Sequence, residues 1–295
     1  MLTLNEKKIR KGRPIGLPYQ GSKKKISKKI VEIIKQNFGT DKPIYDIFGG
    51  GGAITAECLI NGLEVHYNDL DRTITDMFQR VLSTDREFLK TLLVSRDEFV
   101  KIRDKENKTV DDELKLLVNS FGNNRKYYLY SKEMSDVKYN LAIEIIKKHN
   151  TFDEYKKTET YLEVKNVFKE QVERLEQLER LQQLGRLQMG RLQQAEATNL
   201  DYTEFSGIED TILYLDPPYQ NTRLDGYLIN EFDNQSFCDW AYEMSKKNIV
   251  LISSYEISDK RFECVYEFKN ARSTIAQNKF GKRTEKLFMV KKGVE

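Results

Sequence analysis

The chain contains little histidine, cysteine or proline. Its 295 residues include two histidines, three cysteines and five prolines. Because Cys58, Cys238 and Cys264 lie far apart in the sequence, their spacing favours neither a disulfide framework nor a cysteine-based zinc site. With so few histidines, a histidine-rich metal centre is also disfavoured. We therefore expect no bound metal.

Long apolar runs are also missing. No segment approaches the roughly 20 apolar residues of a membrane-spanning helix, and the first twelve residues are charged rather than signal-like. The mean hydropathy is −0.64. These features predict a cytoplasmic protein without a membrane partner, and the length allows one large domain with an insertion or two modest domains.

Positive charge exceeds negative charge only slightly. Lysine and arginine total 49 against 46 acidic residues, a formal net charge of +3, which by itself argues weakly for a polyanionic partner. Two clusters of basic residues lie near the ends of the sequence. Basic clusters are usually solvated surfaces, and they indicate nucleic-acid binding only if folding gathers them on one side of a cleft. The clusters are Lys7, Lys8, Arg10, Lys11, Arg13, Lys23, Lys24, Lys25, Lys28 and Lys29 near the start, and Lys279, Lys282, Arg283 and Lys286 near the end.

The strongest chemical signal is a short apolar run, residues 212–215, followed by Asp216, Pro217, Pro218 and Tyr219. The run predicts a buried strand that ends at the carboxyl edge of a parallel sheet, where open α/β folds bind ligands. The prolines donate no backbone hydrogen bond, so their carbonyls can accept one from a ligand. The strand end would bring these carbonyls, the Asp216 carboxylate and the Tyr219 ring to one point. Such a site suits a planar amino-heterocycle. An ordinary strand ending in a turn with a capping aspartate remains the alternative.

A glycine loop supplies a second signal. Residues 43–48 predict a strand, residues 49–52 are all glycine, and residues 53–61 have helical character. The loop lacks the pattern of a P-loop, which disfavours a nucleotide triphosphatase. Asp46 at the strand end would repel a pyrophosphate but would suit an ammonium group. A cationic cofactor is therefore predicted.

An acidic residue follows the next predicted strand. Residues 63–67 alternate like a strand and lead into Asn68 and Asp69, about twenty residues beyond the glycine loop. An acid at this spacing is placed to bind the two ribose hydroxyls of an adenosine-type cofactor.

The middle of the chain, residues 73–198, is helical and charged, with an aromatic and amide-rich break at residues 119–128. A leucine and arginine repeat near residues 172–194 places leucine at every third position, which drifts around a helix and keeps no heptad seam. We interpret it as a helical low-complexity segment of uncertain packing, with a dimerising coiled coil as the less favoured alternative. Beyond it we expect strands at residues 197–202, 212–215, 248–254, 264–268 and 287–290, and a helix at residues 237–247.

In this order, four motifs resemble those of the Dam-like DNA adenine methyltransferases, in the branch common in bacteriophages and mobile elements. The motifs are Tyr19-Gln20-Gly21-Ser22-Lys23, the D-x-F-x-G-x-G loop from Asp46 to Gly52, Asn68-Asp69, and Asp216-Pro217-Pro218-Tyr219. The resemblance covers nearly the whole chain.

This resemblance implies an α/β fold with a Rossmann-like methyltransferase sheet, helices on both faces and a mainly helical target-recognition insertion. The catalytic domain would comprise residues 1–80 and 195–295, and the insertion residues 81–194. It implies transfer of a methyl group from S-adenosyl-L-methionine to the exocyclic amine of adenine in double-stranded DNA.

The resemblance also assigns roles to single residues. The implied cofactor contacts are Tyr19, Lys23, Asp46, Phe48, Gly50, Gly52, Asp69, Asp201 and Asp216. The implied catalytic residues are Asp216, Pro217, Pro218 and Tyr219, and the candidate DNA contacts are Asn124, Arg125, Lys126, Lys282 and Arg283. Arg125 could read a guanine, and a phosphate contact or a surface position is an equal alternative.

Double-stranded DNA with a short recognition site is the expected partner, and GATC is one candidate sequence. A restriction-modification role and a location at the nucleoid of a bacterial host are further expectations, and the oligomeric state is open, a monomer included. A cytosine-carbon methyltransferase needs a nucleophilic cysteine after a proline, and no cysteine of this sequence follows a proline. This class of enzyme is therefore disfavoured. The alternatives are an amino-methyltransferase acting on cytosine or RNA, a DNA-binding regulator with a vestigial cofactor pocket, and a nuclease using Asp153, Glu163 and Lys165.

Overall fold

A computed structural model describes residues 1–19, 21–188, 192, 195–218, 232–272 and 284–291, without the side chains of residues 269–272. The chain forms two compact units. The sheet unit contains Met1–Pro14, Lys23–Thr75 and Gln194–Glu295. The helical unit contains Ile15–Ser22 and Asp76–Gln193, so a short segment near the amino terminus groups with the middle of the chain.

A seven-stranded sheet forms the core of the sheet unit, in the order β3-β2-β1-β4-β5-β7-β6. Neighbouring strands from β3 to β5 run parallel, and β7 runs antiparallel to both β5 and β6. The chain leaves β1 toward β2 on one side and later fills β4 on the other, so the strand order reverses between β1 and β4. Open α/β sheets bind ligands at such a reversal. The strands are β1 Ile44–Asp46, β2 Val65–Asn68, β3 Ala197–Thr198, β4 Ile212–Leu215, β5 Ile249–Ser254, β6 Phe262–Arg272 and β7 Thr284–Val290.

Helices cover both faces of this sheet. The side chains of β4 alternate between the two apolar clusters that these helices form with the sheet. Ile212 and Tyr214 pack with helices α1 (Ser27–Phe38) and α2 (Ala53–Ile60). Leu213 and Leu215 pack with helix α10 (Asn234–Met244) on the opposite face. All four side chains are buried, as expected for a central parallel strand. The α/β architecture predicted from the sequence is confirmed.

Several element boundaries differ from the sequence-based prediction. Strand β3 stops at Thr198 because the Asp201 side chain caps a short 3₁₀ helix, Tyr202–Phe205. Helix α10 begins three residues before the predicted start, where Asp233 accepts hydrogen bonds from two backbone amides of the first turn. Side-chain caps of this kind fix where a helix starts.

The helical unit is built from short helices. Helix α3 begins in the sheet unit and ends in the helical unit. In α9 the leucines at every third position are all buried, although this spacing places them on different sides of the helix. Gln177 and Arg180 on the same helix are buried as well. The part of the repeat that lies in α9 therefore contributes to the core. The helices are α3 Arg72–Leu82, α4 Arg86–Lys90, α5 Arg96–Arg103, α6 Val110–Asn119, α7 Ser135–His149, α8 Glu159–Phe168 and α9 Glu176–Leu187.

Within the described ranges, no helix has the length and apolar character needed to cross a bilayer. The same part of the chain has no group of three histidine, cysteine or acidic side chains arranged to hold a metal ion. Of the residues considered for a nuclease, Asp153 accepts a hydrogen bond from Gln182, and the Lys165 ammonium lies 5.9 Å from the centre of the Tyr161 ring.

Candidate active site at the carboxyl ends of the central strands

The glycine loop after β1 is packed tightly against β2. The amide of Gly49 donates to the carbonyl of Asn68 over 2.8 Å. A Cβ atom at Gly49 would lie 2.3 Å from the ring of Tyr67, too close for any side chain. Gly50 and Gly52 have φ angles of +48° and +67°, in the left-handed region that favours glycine. Sterics therefore require glycine in this loop.

Asp46, the last residue of β1, is buried beside the loop. Its Oδ2 accepts hydrogen bonds from the backbone amide and the hydroxyl of Thr55, at 3.1 and 2.7 Å. Its Oδ1 is buried and has no hydrogen-bond partner among the described residues. Burial raises the pKa of Asp46 to about 7, and the carboxylates of Asp216 and Asp69 contribute to the increase.

Asp69 follows β2 and links the two loops. Its Oδ2 accepts from the amide of Gly50 at 2.7 Å, and its Oδ1 accepts from the amide of Asp71 at 2.8 Å. Burial raises the pKa of Asp69 to about 6, and the negative charges of Asp71 and Asp216 act in the same direction.

Asp216 follows β4 and pairs with a lysine. The Lys23 ammonium lies 2.7 Å from Asp216 Oδ2 and 3.8 Å from Glu285 Oε1. Lys23 lies in a 3₁₀ turn just before α1. Pro217 and Pro218 are buried directly after the strand, while Asp216 keeps partial exposure. Tyr219, the last residue of the motif, lies outside the described residues.

The carboxylates of Asp46, Asp69 and Asp216 meet at the carboxyl ends of three adjacent strands. The charge of Asp216 raises the pKa of both Asp46 and Asp69, and the charge of Asp69 raises that of Asp46, so the three share one electrostatic environment. Three acids with one lysine leave an excess of negative charge, which favours a cationic ligand. The structure brings these predicted residues together, as well as Lys23, Gly50 and Gly52.

Other predicted cofactor contacts have local structural partners. Phe48 packs in an aromatic cluster, with ring centres 5.8 Å from Phe237 and 5.9 Å from Tyr202. Asp201 is exposed, and its Oδ1 accepts from the amide and the hydroxyl of Thr203. Tyr19 belongs to the helical unit, so its role in cofactor binding stays a prediction.

The loop predicted to contact DNA lies in the helical unit and has a hairpin-like form. Ser120 and Tyr128 form an antiparallel bridge, and the amide of Phe121 donates to the carbonyl of Tyr127. The Asn124 side chain accepts hydrogen bonds from the amides of Lys126 and Tyr127, so it stabilises the turn. Arg125 donates to Glu113 over 2.9 Å.

Two exposed aromatic residues on this loop were missed in the sequence-based prediction. Phe121 and Tyr127 have 65% and 67% of their surface exposed, although large aromatic side chains are usually buried. They lie on either side of the turn that carries Asn124 and Arg125. The aromatic residues on both sides of the amide-rich turn were the available sequence signal.

A buried arginine on α9 holds the start of the loop at residues 119–128. Arg180 on α9 donates to the carbonyls of Val118 and Ser120, both at 2.7 Å, and to that of Leu117 at 3.3 Å. Arg180 thereby satisfies carbonyls that the end of α6 leaves without helical partners. Burial lowers the pKa of Arg180 to about 10, so it stays charged at neutral pH.

Several residues of the amino-terminal basic cluster hold the chain in place. The Lys28 ammonium donates to the carbonyls of Arg10 and Gly12, and Arg10 forms a two-point pair with the buried Glu57 at 2.8 Å for each contact. Lys29 pairs with Glu6. At the other end of the chain, Lys282 and Arg283 lie outside the described residues.

The fold and the site define an α/β protein with a glycine loop and a group of three carboxylates at the carboxyl ends of adjacent strands, a charge arrangement that favours a cationic ligand. The family model of the D12 class N6 adenine-specific DNA methyltransferases matches residues 19–279. The chain belongs to this family, so it is an adenine-specific DNA methyltransferase that uses S-adenosyl-L-methionine.

Among solved structures, the chain is similar to the rRNA methyltransferase aviRa from Streptomyces viridochromogenes. The two are 11% identical, with a TM-score of 0.36 over 89% of this chain and 84% of that one. It is also similar to a putative methyltransferase, yhhF, from Escherichia coli, at 10% identity and a TM-score of 0.34 over 95% and 91% of the two chains. No curated protein sequence matches this chain.

The residues at this sheet edge fit this cofactor. S-Adenosyl-L-methionine has a cationic sulfonium, a cationic ammonium and a ribose diol. The unpaired Oδ1 of Asp46 is a buried acceptor that a cationic group would satisfy. Asp69 is a second carboxylate, fixed by the Gly50 amide, with the chemistry to accept from a diol.

Proposed function

We propose that this enzyme methylates the N6 amine of adenine within a short specific sequence of double-stranded DNA, and that Asp216 is its catalytic acceptor. The observation that supports this most strongly is the place of Asp216. It ends β4, beside the β1 strand that carries Asp46, and its charge contributes to the pKa values of both Asp46 and Asp69. The target amine and the methyl donor would therefore meet at one sheet edge.

In this proposal the cofactor is held by acids and backbone. Asp46 faces the ammonium group, Asp69 accepts from the ribose hydroxyls, and Gly50 and Gly52 let the loop approach closely. Lys23 orients Asp216. Tyr19, Phe48 and Asp201 complete the predicted contacts, Phe48 from its aromatic cluster and Asp201 from the start of a 3₁₀ helix.

The chemistry follows from the acceptors at the end of β4. The bound cofactor supplies an electrophilic methyl group. Adenine's amine is a weak nucleophile because its lone pair is delocalised into the ring. Asp216 and the carbonyl of Pro217 would accept the two amine hydrogens, which favours a pyramidal nitrogen with its lone pair directed outward. Lys23 pairs with Oδ2 of Asp216 and is proposed to fix the orientation of this carboxylate. Most of the rate gain would come from positioning and electrostatics.

An adenine within a duplex must leave the base stack before it can reach this site, which costs a few kcal/mol. Tyr219 is proposed to stack on the extruded base. The helical unit is proposed as the target-recognition domain, with Asn124, Arg125 and Lys126 as DNA contacts. The exposed Phe121 and Tyr127 add aromatic surface for base contacts on the same loop. Lys282 and Arg283 are proposed to bind phosphates.

Arg125 would have to share or release Glu113 to make a two-point contact with guanine, because the pair is already formed in the protein. Such an exchange would make binding depend on the correct base. GATC is one candidate target. Three further points stay predictions from the resemblance alone. They are a cytoplasmic location at the nucleoid, a paired restriction endonuclease and a phage origin.

The test is to express the chain in a bacterial host without adenine methylation and to map modified bases across the genome. N6-methyladenine in one short sequence context is the expected result. Asp216→Asn should remove it, while the exposed Asp210→Asn should not. Defined duplex DNA and RNA oligonucleotides, assayed with labelled cofactor, separate adenine methylation from transfer to cytosine or RNA. Genomic DNA without methyladenine, despite soluble protein, would overturn the proposal.

A further inference from the structure

Glu285 is a buried carboxylate to which the motifs assign no role. It lies on β7, only 7% of its surface is exposed, and its Oε1 accepts from the hydroxyl of Ser253 on the neighbouring β5 at 2.8 Å. The same oxygen lies 3.8 Å from the Lys23 ammonium. Because Lys23 also contacts Asp216 at 2.7 Å, this lysine lies between two carboxylates.

We propose that Glu285 is a positioning residue for methyl transfer, which acts through Lys23 on Asp216. This inference rests on the proposed catalytic role of Asp216. Lys23 contributes one positive charge, and Glu285 and Asp216 each contribute one negative charge. The group therefore keeps a net negative charge at the end of β4. Without Glu285, the ammonium would neutralise Asp216 alone, and that carboxylate would accept the amine hydrogens less strongly.

Geometry leads to the same conclusion. The Lys23 side chain is long and flexible, so one ion pair with Asp216 does not fix where its ammonium lies. A second anchor restricts it, and Ser253 fixes that anchor in turn. Strands β5 and β7 are paired through Ser253 and Leu287 and through Ser254 and Lys286, so the anchor lies on rigid backbone. This restraint keeps the Lys23 ammonium beside Oδ2 of Asp216.

The principal experiment compares Glu285→Gln with wild type in steady-state kinetics on duplex DNA. We expect kcat to fall roughly tenfold to hundredfold, the range seen when groups that orient active-site residues are removed. The cofactor dissociation constant and KM for DNA should change by less than about twofold. Ser253→Ala should lower kcat in the same direction by a smaller factor. Glu263→Gln, an exposed position on β6, is the matched control and should behave as wild type.

A double-variant cycle tests whether Glu285 acts through Lys23. If it does, Lys23→Met combined with Glu285→Gln should be no slower than Lys23→Met alone. Independent, multiplying effects would overturn the inference, as would a wild-type kcat in Glu285→Gln. Should Glu285→Gln fail to fold in thermal unfolding, Ser253→Ala decides, and an unchanged kcat there contradicts the proposal. An inactive Asp216→Asn with a fully active Glu285→Gln defeats only this inference, whereas an active Asp216→Asn defeats the proposed function.

Discussion

The sheet unit and the helical unit use buried polar groups in different ways. In the sheet unit, Asp46 is buried and Asp69 half-buried, both have raised pKa values, and both belong to the proposed cofactor site. In the helical unit, Arg180 is also buried, but it donates to backbone carbonyls and supports a loop. The first arrangement leaves negative charge available for a ligand, and the second uses its charge internally. Burial of a charged group therefore indicates a ligand site only where one of its polar atoms, such as Oδ1 of Asp46, has no hydrogen-bond partner among the described residues.

A second difference concerns sequence distance. The sheet-unit acids each lie at the end of a strand and occur in short motifs, whereas the support of the loop comes from α9, some sixty residues along the chain. Gln177, also on α9, donates to the Asn119 side chain and lies close to the Tyr128 hydroxyl. The loop is therefore held by residues that no local pattern connects to it.

The largest effect is expected from Gly49→Ala in the sheet unit. The added methyl group would overlap the ring of Tyr67 and approach the carbonyl of Asn68 to 3.1 Å. The loop must shift, which should cost about 3 kcal/mol of unfolding free energy and weaken cofactor binding more than tenfold. Chemical denaturation and calorimetric titration with S-adenosyl-L-methionine measure the two effects.

Gly207→Ala is the control for this prediction, because a Cβ atom at Gly207 meets nothing within 4 Å. It should leave both measurements close to wild type. Wild-type cofactor affinity in Gly49→Ala would mean that the loop is not part of the site.

Arg180→Met should cause the next largest effect, this time in the helical unit. The carbonyls at the end of α6 would lose their donor, at a cost of about 2 kcal/mol of unfolding free energy. We expect sequence-specific DNA binding to be lost while cofactor affinity stays within about twofold, as measured by fluorescence anisotropy and calorimetry. Arg103→Met removes an arginine that pairs at the surface with Asp104 and should change neither. Equal losses of DNA and cofactor binding would contradict the separation of roles.

The sequence was informative where function depends on neighbours in the chain. The run before Asp216 predicted β4 with its observed bounds, and the glycine loop and Asp69 were located correctly at strand ends. The contacts of Arg180, Gln177 and Glu285 were not predictable, because each depends on the packing of distant elements. The leucine repeat lacked a heptad seam, yet its part in α9 is core, since burial on several sides of a helix leaves no single apolar face.

Arg125→Ala should have a smaller and more selective effect. If the guanidinium reads a guanine, losing it should cost about 1 to 3 kcal/mol of discrimination at one base pair. Glu113→Gln removes the competing carboxylate and should strengthen DNA binding by a few fold. Binding assays on a panel of single-base variants at two salt concentrations measure both. Equal weakening on every sequence, with a flatter salt dependence, would instead identify a phosphate contact.

The smallest effect, a dependence of cofactor affinity on pH, comes from the buried acids of the sheet unit. Because the folded pKa of Asp46 is about 7 and that of Asp69 about 6, both acids take up protons as the pH falls from 8 to 6. The cofactor's ammonium requires an ionised Asp46, and an ionised Asp69 accepts more strongly from the ribose hydroxyls, so affinity should fall by about tenfold over this range.

Stability of the ligand-free protein should show the opposite trend. A folded pKa above the unfolded value near 4 means that these acids stabilise the fold at low pH, and that this contribution is lost as the pH rises through about 6 to 7. The cofactor should therefore raise the melting temperature more at pH 8 than at pH 6. Asp46→Asn cannot ionise, so it should bind weakly at both pH values and show a flatter profile. If wild-type affinity were equal at pH 6 and pH 8, Asp46 would not face the ammonium group, and the contrast between the two units would lose its electrostatic basis.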